Sequence, residues 1–184
     1  TVFCIPSGNF GNLTAGLLAK NMGLPVHQFI AATNINKVIP DYLATGEYEP
    51  KPSLPTISNA MDVGKPSNFA RMVDLHECSP WNNMQNNITG TYCDDKTTKE
   101  IIKEVYRKNN YVMCPHTAVG YYAAQQYAER ANIITLATAH PSKFIDIVEK
   151  EIATQVEIPE RLAVLKNKKK ESVELDNQFK NFKD

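Results

Sequence analysis

The chain has 184 residues, with 20 Lys and Arg against 20 Asp and Glu and a formal net charge of zero. That is the length of one domain with a sizeable core, and a neutral balance gives no long-range attraction to nucleic acid or to an acidic membrane surface. No apolar run approaches membrane-spanning length, and the first residues lack the basic, apolar and small-residue order of a signal peptide.

Read in chain order, strands alternate with helices. Val2-Phe3-Cys4-Ile5 is a strand that stops at Pro6, and a helix opens at about Asn12 with Leu13, Leu17, Leu18 and Met22 on one side. Gly23 stands at its C′ position and Pro25 blocks continuation. Val26 to Ala32 is the next strand, and a short helix follows, bracketed by Pro40 at its first position and Gly46 beyond its end. Pro50, Pro52 and Pro55 make residues 47–59 an ordered loop. Lys65 to Leu75 is helical, with Phe69, Met72 and Val73 inward, whereas residues 77–93 have no clear periodicity and receive no assignment. Thr97 and Glu100 have capping-box spacing ahead of Ile101, Ile102, Val105 and Tyr106. Tyr111 to Cys114 is a short strand, and a helix with Val119, Tyr122, Ala123 and Tyr127 inward follows from Pro115. Ile133 to Ala137, an almost continuous apolar run, predicts a strand covered on both faces, and Pro141 to Ile152 a last helix. Strands separated by single helices need crossovers, so the expected fold is α/β, a doubly wound, mostly parallel sheet. Residues 166–184 form a charged tail after a domain spanning 1–165, and Val173, Leu175, Phe179 and Phe182 suit a short docking helix.

The loop after the first strand carries the chemistry. Ser7-Gly8-Asn9-Phe10-Gly11-Asn12 joins a strand to a helix start, where glycines permit close backbone approach and first-turn N–H groups lack intrahelical partners. It has no lysine and neither the P-loop nor the dinucleotide spacing, so a cradle of backbone N–H groups for a single phosphate monoester is the expected use. Cys4, Cys78, Cys93 and Cys114 are scattered with no C-x-x-C pair, which points to a reduced, cytoplasmic protein without a disulfide framework.

This loop resembles the cofactor-phosphate loop of the threonine synthase family, pyridoxal 5'-phosphate (PLP) enzymes of fold type II. The resemblance continues through Ala31-Ala32-Thr33-Asn34, Ser58-Asn59-Ala60-Met61-Asp62-Val63, Pro115-His116-Thr117-Ala118-Val119 and Thr138-Ala139-His140-Pro141-Ser142-Lys143-Phe144, in the family's order. It implies part of the large domain of such an enzyme, with Gly8, Asn9, Phe10, Gly11 and Asn12 at the cofactor phosphate and Thr138 at the pyridine nitrogen. In this reading Phe10 packs beneath the loop, the N–H groups from Gly8 to Asn12 face the phosphate, and Asn9 or Asn12 adds an amide donor. The implied activity is a lyase converting O-phospho-L-homoserine and water to L-threonine and phosphate. In the family the loop lies well inside the polypeptide, so the expectation is the C-terminal portion of a longer enzyme, needing its N-terminal part as partner.

The competing readings are plainer. Thr138 alone reads as a helix cap before His140-Pro141, and His116 and His140 as structural histidines. Asp62 orders its loop, and Cys114, where the family often has an acidic residue, receives no role. The family's Schiff-base lysine lies in a Ser-Phe-Lys-Asp motif ahead of the phosphate loop; Asn181-Phe182-Lys183-Asp184 is at the wrong end and lacks the serine, so the chain is expected to have no catalytic lysine and to be inactive alone. A serine or threonine dehydratase-like lyase is the enzyme alternative, although such enzymes carry more loop glycines and a serine near the ring nitrogen. A noncatalytic relative binding phosphorylated ligands is the other.

Overall fold

β1 (Val2–Pro6), β2 (Gln28–Thr33), β3 (Ile88–Tyr92) and β4 (Ile133–Thr135) form one parallel sheet in the order β3-β2-β1-β4. This computed structural model describes residues 1–77, 79–129, 131–165 and 168–182; Cys78, the predicted start of the tail at Lys166, and Lys183-Asp184 lie outside them. Phe3 stands opposite Phe29 and Ile134, and Phe29 opposite Ile88, so the pleat sorts the side chains by parity.

One face carries Ile5, Phe29 and Ala31 against Leu13 and Leu17 of α1 (Gly11–Asn21), Ile39 and Leu43 of α2 (Val38–Thr45) and Met84. Leu13 is fully buried, worth about 1.5–3 kcal/mol of transfer free energy. The other face carries Val2, Cys4, Ile30 and Ala32 against Val119 and Ala123. Helices on both faces and crossovers between parallel strands make the sheet doubly wound, as the alternating pattern predicts. From β1 the chain winds through β2 to β3 and then crosses back to β4 on the other side of β1. The β1/β4 boundary is therefore the switch point, where loops leave the carboxyl ends of neighbouring strands in opposite directions.

Several predicted elements differ in detail. Leu18 and Met22 are exposed, because α1 turns Leu13, Thr14 and Leu17 inward. Pro40 is the third residue of α2, still in the first turn where its missing N–H costs nothing. α3 (Phe69–Leu75) starts later than Lys65. The unassigned stretch holds α4 (Pro80–Asn87) and β3; α4's buried Met84 stands among exposed asparagines, too few apolar residues for a period to show. α5 (Asp95–Asn109) is capped by Asp94, whose carboxylate accepts the Thr97 N–H at 2.7 Å, so Thr97 lies inside the helix. Residues 111–114 run without secondary structure rather than as a strand, and lead into α6 (Pro115–Gln125).

β4 is shorter than predicted and sits at the sheet edge, with Ile134 exposed, so it is not covered on both faces. Gly120 lets α6 lie tightly over this edge, since a Cβ there would come within 3.1 Å of Pro6 and 3.0 Å of Thr135. Pro141–Phe144 is a 3-10 turn, and α7 (Ile145–Ile152) continues from it, with Val148 and Ile152 packed beside Ile101, Ile102 and Val105 of α5. The short α8 (Glu160–Ala163) and α9 (Phe179–Phe182) have no buried residues, and Val173, Leu175, Phe179 and Phe182 are exposed rather than docked.

Candidate functional site

The loop between β1 and α1 is braced by its own side chains. Ser7 Oγ accepts the Phe10 N–H at 3.0 Å and donates to Asn12 Oδ1 at 2.6 Å, while Asn12 Nδ2 donates to the Pro6 carbonyl at 3.1 Å. Asn12 thus braces the loop with its Oδ1 and one amide hydrogen, which leaves the second hydrogen of its Nδ2 without a protein acceptor among the described residues. Asn9 Oδ1 accepts from the Ser67 backbone N–H at 2.6 Å, and Asn68 Nδ2 donates to the Asn9 carbonyl at 2.9 Å. Phe10 is buried beneath the loop with φ of 60°, a left-handed conformation that costs a bulky residue about 1–3 kcal/mol and persists because the ring is fixed in the core. Among the described residues, the N–H groups of Gly8, Asn9, Gly11 and Asn12 have no acceptor. Gly11 and Asn12 open α1, so their N–H groups also stand at the positive end of its dipole.

Gly8 has no room for a side chain. A Cβ there would lie 2.6 Å from Met61 Cα and 2.8 Å from its carbonyl oxygen. Met61 ends the turn Asn59–Met61, and Asp62 anchors that turn. Its Oδ1 accepts from Thr56 Oγ1 at 2.7 Å and from Asn34 Nδ2 at 2.8 Å, and its Oδ2 accepts the Thr56 N–H at 2.9 Å. The carboxylate thus orders the proline-rich loop beside the β1–α1 loop, as the sequence suggested.

A cleft of about 240 Å³ opens at the β1/β4 switch point, lined by residues 6–12, Ala60, Met61, His116, Thr138, Ala139 and Lys143. Larger hollows of about 340 Å³ and 480 Å³ lie elsewhere and do not touch the loop. Thr138 is exposed, with no hydrogen bond among the described residues. It is not the cap: His140 Nδ1 accepts the Ser142 N–H at 3.2 Å and pairs with Ser142 Oγ at 2.8 Å, capping the turn itself. Cys114 proves to be the cap of α6, its Sγ accepting the Thr117 N–H at 3.4 Å.

His116 is what sequence reasoning missed. It is 3% exposed, its ring 4.9 Å from that of Phe144, and neither ring nitrogen has a partner. Burial, and then the Lys143 ammonium, push its pKa down to about 4 against the opposing pull of Asp62, so the ring is neutral at pH 7. A lone histidine after a proline gives no sequence signal for this; only the packing shows it.

Residues 117–184 match the family model "Threonine synthase, C-terminal". The threonine synthase of Buchnera aphidicola from Schizaphis graminum is 42% identical over 162 residues, covering 88% of the chain and 37% of that relative. The chain is similar to the C-terminal portion of threonine synthases. The crystal structure of Escherichia coli threonine synthase superposes with a TM-score of 0.78 at 40% identity, over 89% of this chain and 38% of that one. A PLP-bound threonine synthase from Brucella melitensis gives 0.85 at 30% identity, over 98% and 44%. Against these threonine synthases the chain spans less than half their length, and it follows their fold almost throughout.

Proposed function

We propose that the chain is the C-terminal portion of a threonine synthase, a fold type II PLP-dependent lyase of the cytoplasm that converts O-phospho-L-homoserine and water to L-threonine and phosphate. The observation that carries this is the set of unpaired N–H groups at Gly8, Asn9, Gly11 and Asn12 beside Thr138, in a chain similar to threonine synthases along nearly its whole length. The residues fit the cofactor. Four N–H groups, two of them in the first turn of α1, suit a phosphate monoester, and the absence of a side chain at Gly8 lets the loop lie close against Met61.

In this reading Gly8, Asn9, Gly11 and Asn12 bind the cofactor phosphate through their backbone, and Phe10 holds the loop from below. Thr138 gives its hydroxyl to the pyridine nitrogen, and a neutral partner leaves that nitrogen unprotonated. When bound, PLP supplies an electron sink for carbanion chemistry at the amino-acid substrate. The lysine that carries the cofactor comes from outside residues 1–184, and so does much of the substrate pocket. The buried free thiols Cys4, Cys93 and Cys114 suit a reducing compartment.

A chimera tests the assignment. Fused behind the N-terminal part of the Escherichia coli enzyme, this chain restores release of phosphate and L-threonine from O-phospho-L-homoserine, whereas alone it has no turnover. A folded chimera that binds PLP yet leaves this substrate untouched contradicts the proposed substrate.

A further inference from the structure

We propose that His116 is a ligand-contacting residue of the cleft, its imidazole hydrogen-bonding an anionic oxygen of the bound phosphate ester while Lys143 supplies the countercharge. The inference rests on the proposed phosphate site and extends it to another part of the cleft lining.

Three observations converge. First, His116 and Lys143 line the same cleft as the Gly8–Asn12 loop. Second, both ring nitrogens of His116 are shielded from solvent without a protein partner. A neutral imidazole carries one donor and one acceptor, and buried polar groups are almost always satisfied, so a pair of orphans on one ring marks a partner absent from this chain. Third, the ring combines a place in the cleft wall with uncommitted nitrogens. It packs against Phe144 with ring centroids 4.9 Å apart, and no hydrogen bond to the protein occupies either nitrogen. The other charged groups acting on it are Lys143 and Asp62, of opposite sign. The Asp62 carboxylate is occupied by Thr56 and Asn34, leaving Lys143 as the charge in the cleft wall that favours an anion.

Neutrality is what such a contact needs. A neutral ring can donate to a phosphate oxygen without the desolvation cost of a buried cation, and Lys143, at the exposed rim, balances charge while remaining hydrated.

The test uses the 184-residue chain labelled with ¹⁵N in backbone and histidine rings, titrated with inorganic phosphate and separately with PLP. Expected are shifts of the Gly8, Asn9, Gly11 and Asn12 amides together with a change in the His116 ring-nitrogen resonances. His116→Phe, which keeps a ring against Phe144, weakens binding of both probes about tenfold, and His116→Gln, which restores a donor and an acceptor, recovers part of the loss. If the amides shift while the His116 nitrogens stay still and His116→Phe binds as before, the His116 contact is wrong and the loop site stands. If neither probe moves the amides, the loop site itself is wrong and this contact falls with it. Should His116→Phe fail to fold, the ring-nitrogen titration of the unaltered chain decides alone.

Discussion

Gly8→Ala places a methyl group where the structure has backbone. The new Cβ would stand 2.6 Å from Met61 Cα and 2.9 Å from its carbonyl carbon, while comfortable carbon contacts begin at about 3.5 Å, so roughly 1 Å of movement is required. Met61 cannot yield easily. Its N–H donates to the Ser58 carbonyl at 2.8 Å, and Asp62 is tied to Thr56 and Asn34. The β1–α1 loop must move instead. Overpacking of this kind costs about 1–3 kcal/mol, which for a chain of this size lowers Tm by about 4–8 °C near the middle of that range. A 1 Å shift also carries N–H groups out of the roughly 2.7–3.2 Å window of a hydrogen bond, so affinity for PLP or inorganic phosphate falls at least about tenfold. Gly11→Ala is the control. Its Cβ meets only Asn68 Nδ2 at 3.6 Å, and its backbone is helical, so stability holds or rises by a few tenths of a kcal/mol. Thermal melts and calorimetric titration of both variants check this. Gly8→Ala melting and binding like the parent chain would refute the tight loop–turn contact and the donor geometry built on it.

Asp62→Asn sets an amide hydrogen against donors that a carboxylate now satisfies; Tm drops by about 4–8 °C, the loss of about 2 kcal/mol, and loop amides shift in the ¹⁵N spectrum although the substitution is outside the loop. His116 makes stability depend on pH: its folded pKa of about 4 lies below the unfolded value of about 6.5, so its contribution is fully present above pH 6.5 and is lost as pH falls toward 4, by on the order of 3 kcal/mol. Denaturant titrations across that window show the slope, and His116→Phe flattens it. In the complete enzyme Thr138→Ser keeps the PLP spectrum and much of the activity, whereas Thr138→Asp shifts the absorbance by holding the ring nitrogen protonated. Because His140 is the cap, His140→Ala lowers the melting temperature and Thr138→Asp leaves it nearly unchanged, and the reverse pattern would return Thr138 to a capping role.

The legible parts of this fold are those where one strong local rule acts. Val2–Pro6 followed by a glycine loop and a helix start could be read directly, because the apolar run, the proline stop and the helical stripe agree. β3 was not legible. Ile88-Thr89-Gly90-Thr91-Tyr92 has one fully buried side chain, and its place beside β2 is fixed by tertiary pairing. Ile133–Ala137 misled in the opposite sense, since an apolar run does not say whether a second strand lies beyond it, and here β4 is an edge. In the site, the strand–glycine loop–helix start was legible, but the hydrogen bonds of Asn9 and Asn12 depend on partners at Ser67, Pro6 and Ser7 that no spacing rule foresees. The orphaned imidazole of His116 is likewise a product of packing: Phe144 and Lys143 reach it from a segment more than twenty residues away.

The central claim is that the β1–α1 loop and Thr138 together hold the cofactor, and a crystal structure of the chain grown with PLP tests it most directly. The account places the phosphate within hydrogen-bond distance of the Gly8, Asn9, Gly11 and Asn12 N–H groups, with the pyridine nitrogen at Thr138 Oγ1. Density for the phosphate against any other surface, with these four N–H groups left to water, contradicts it.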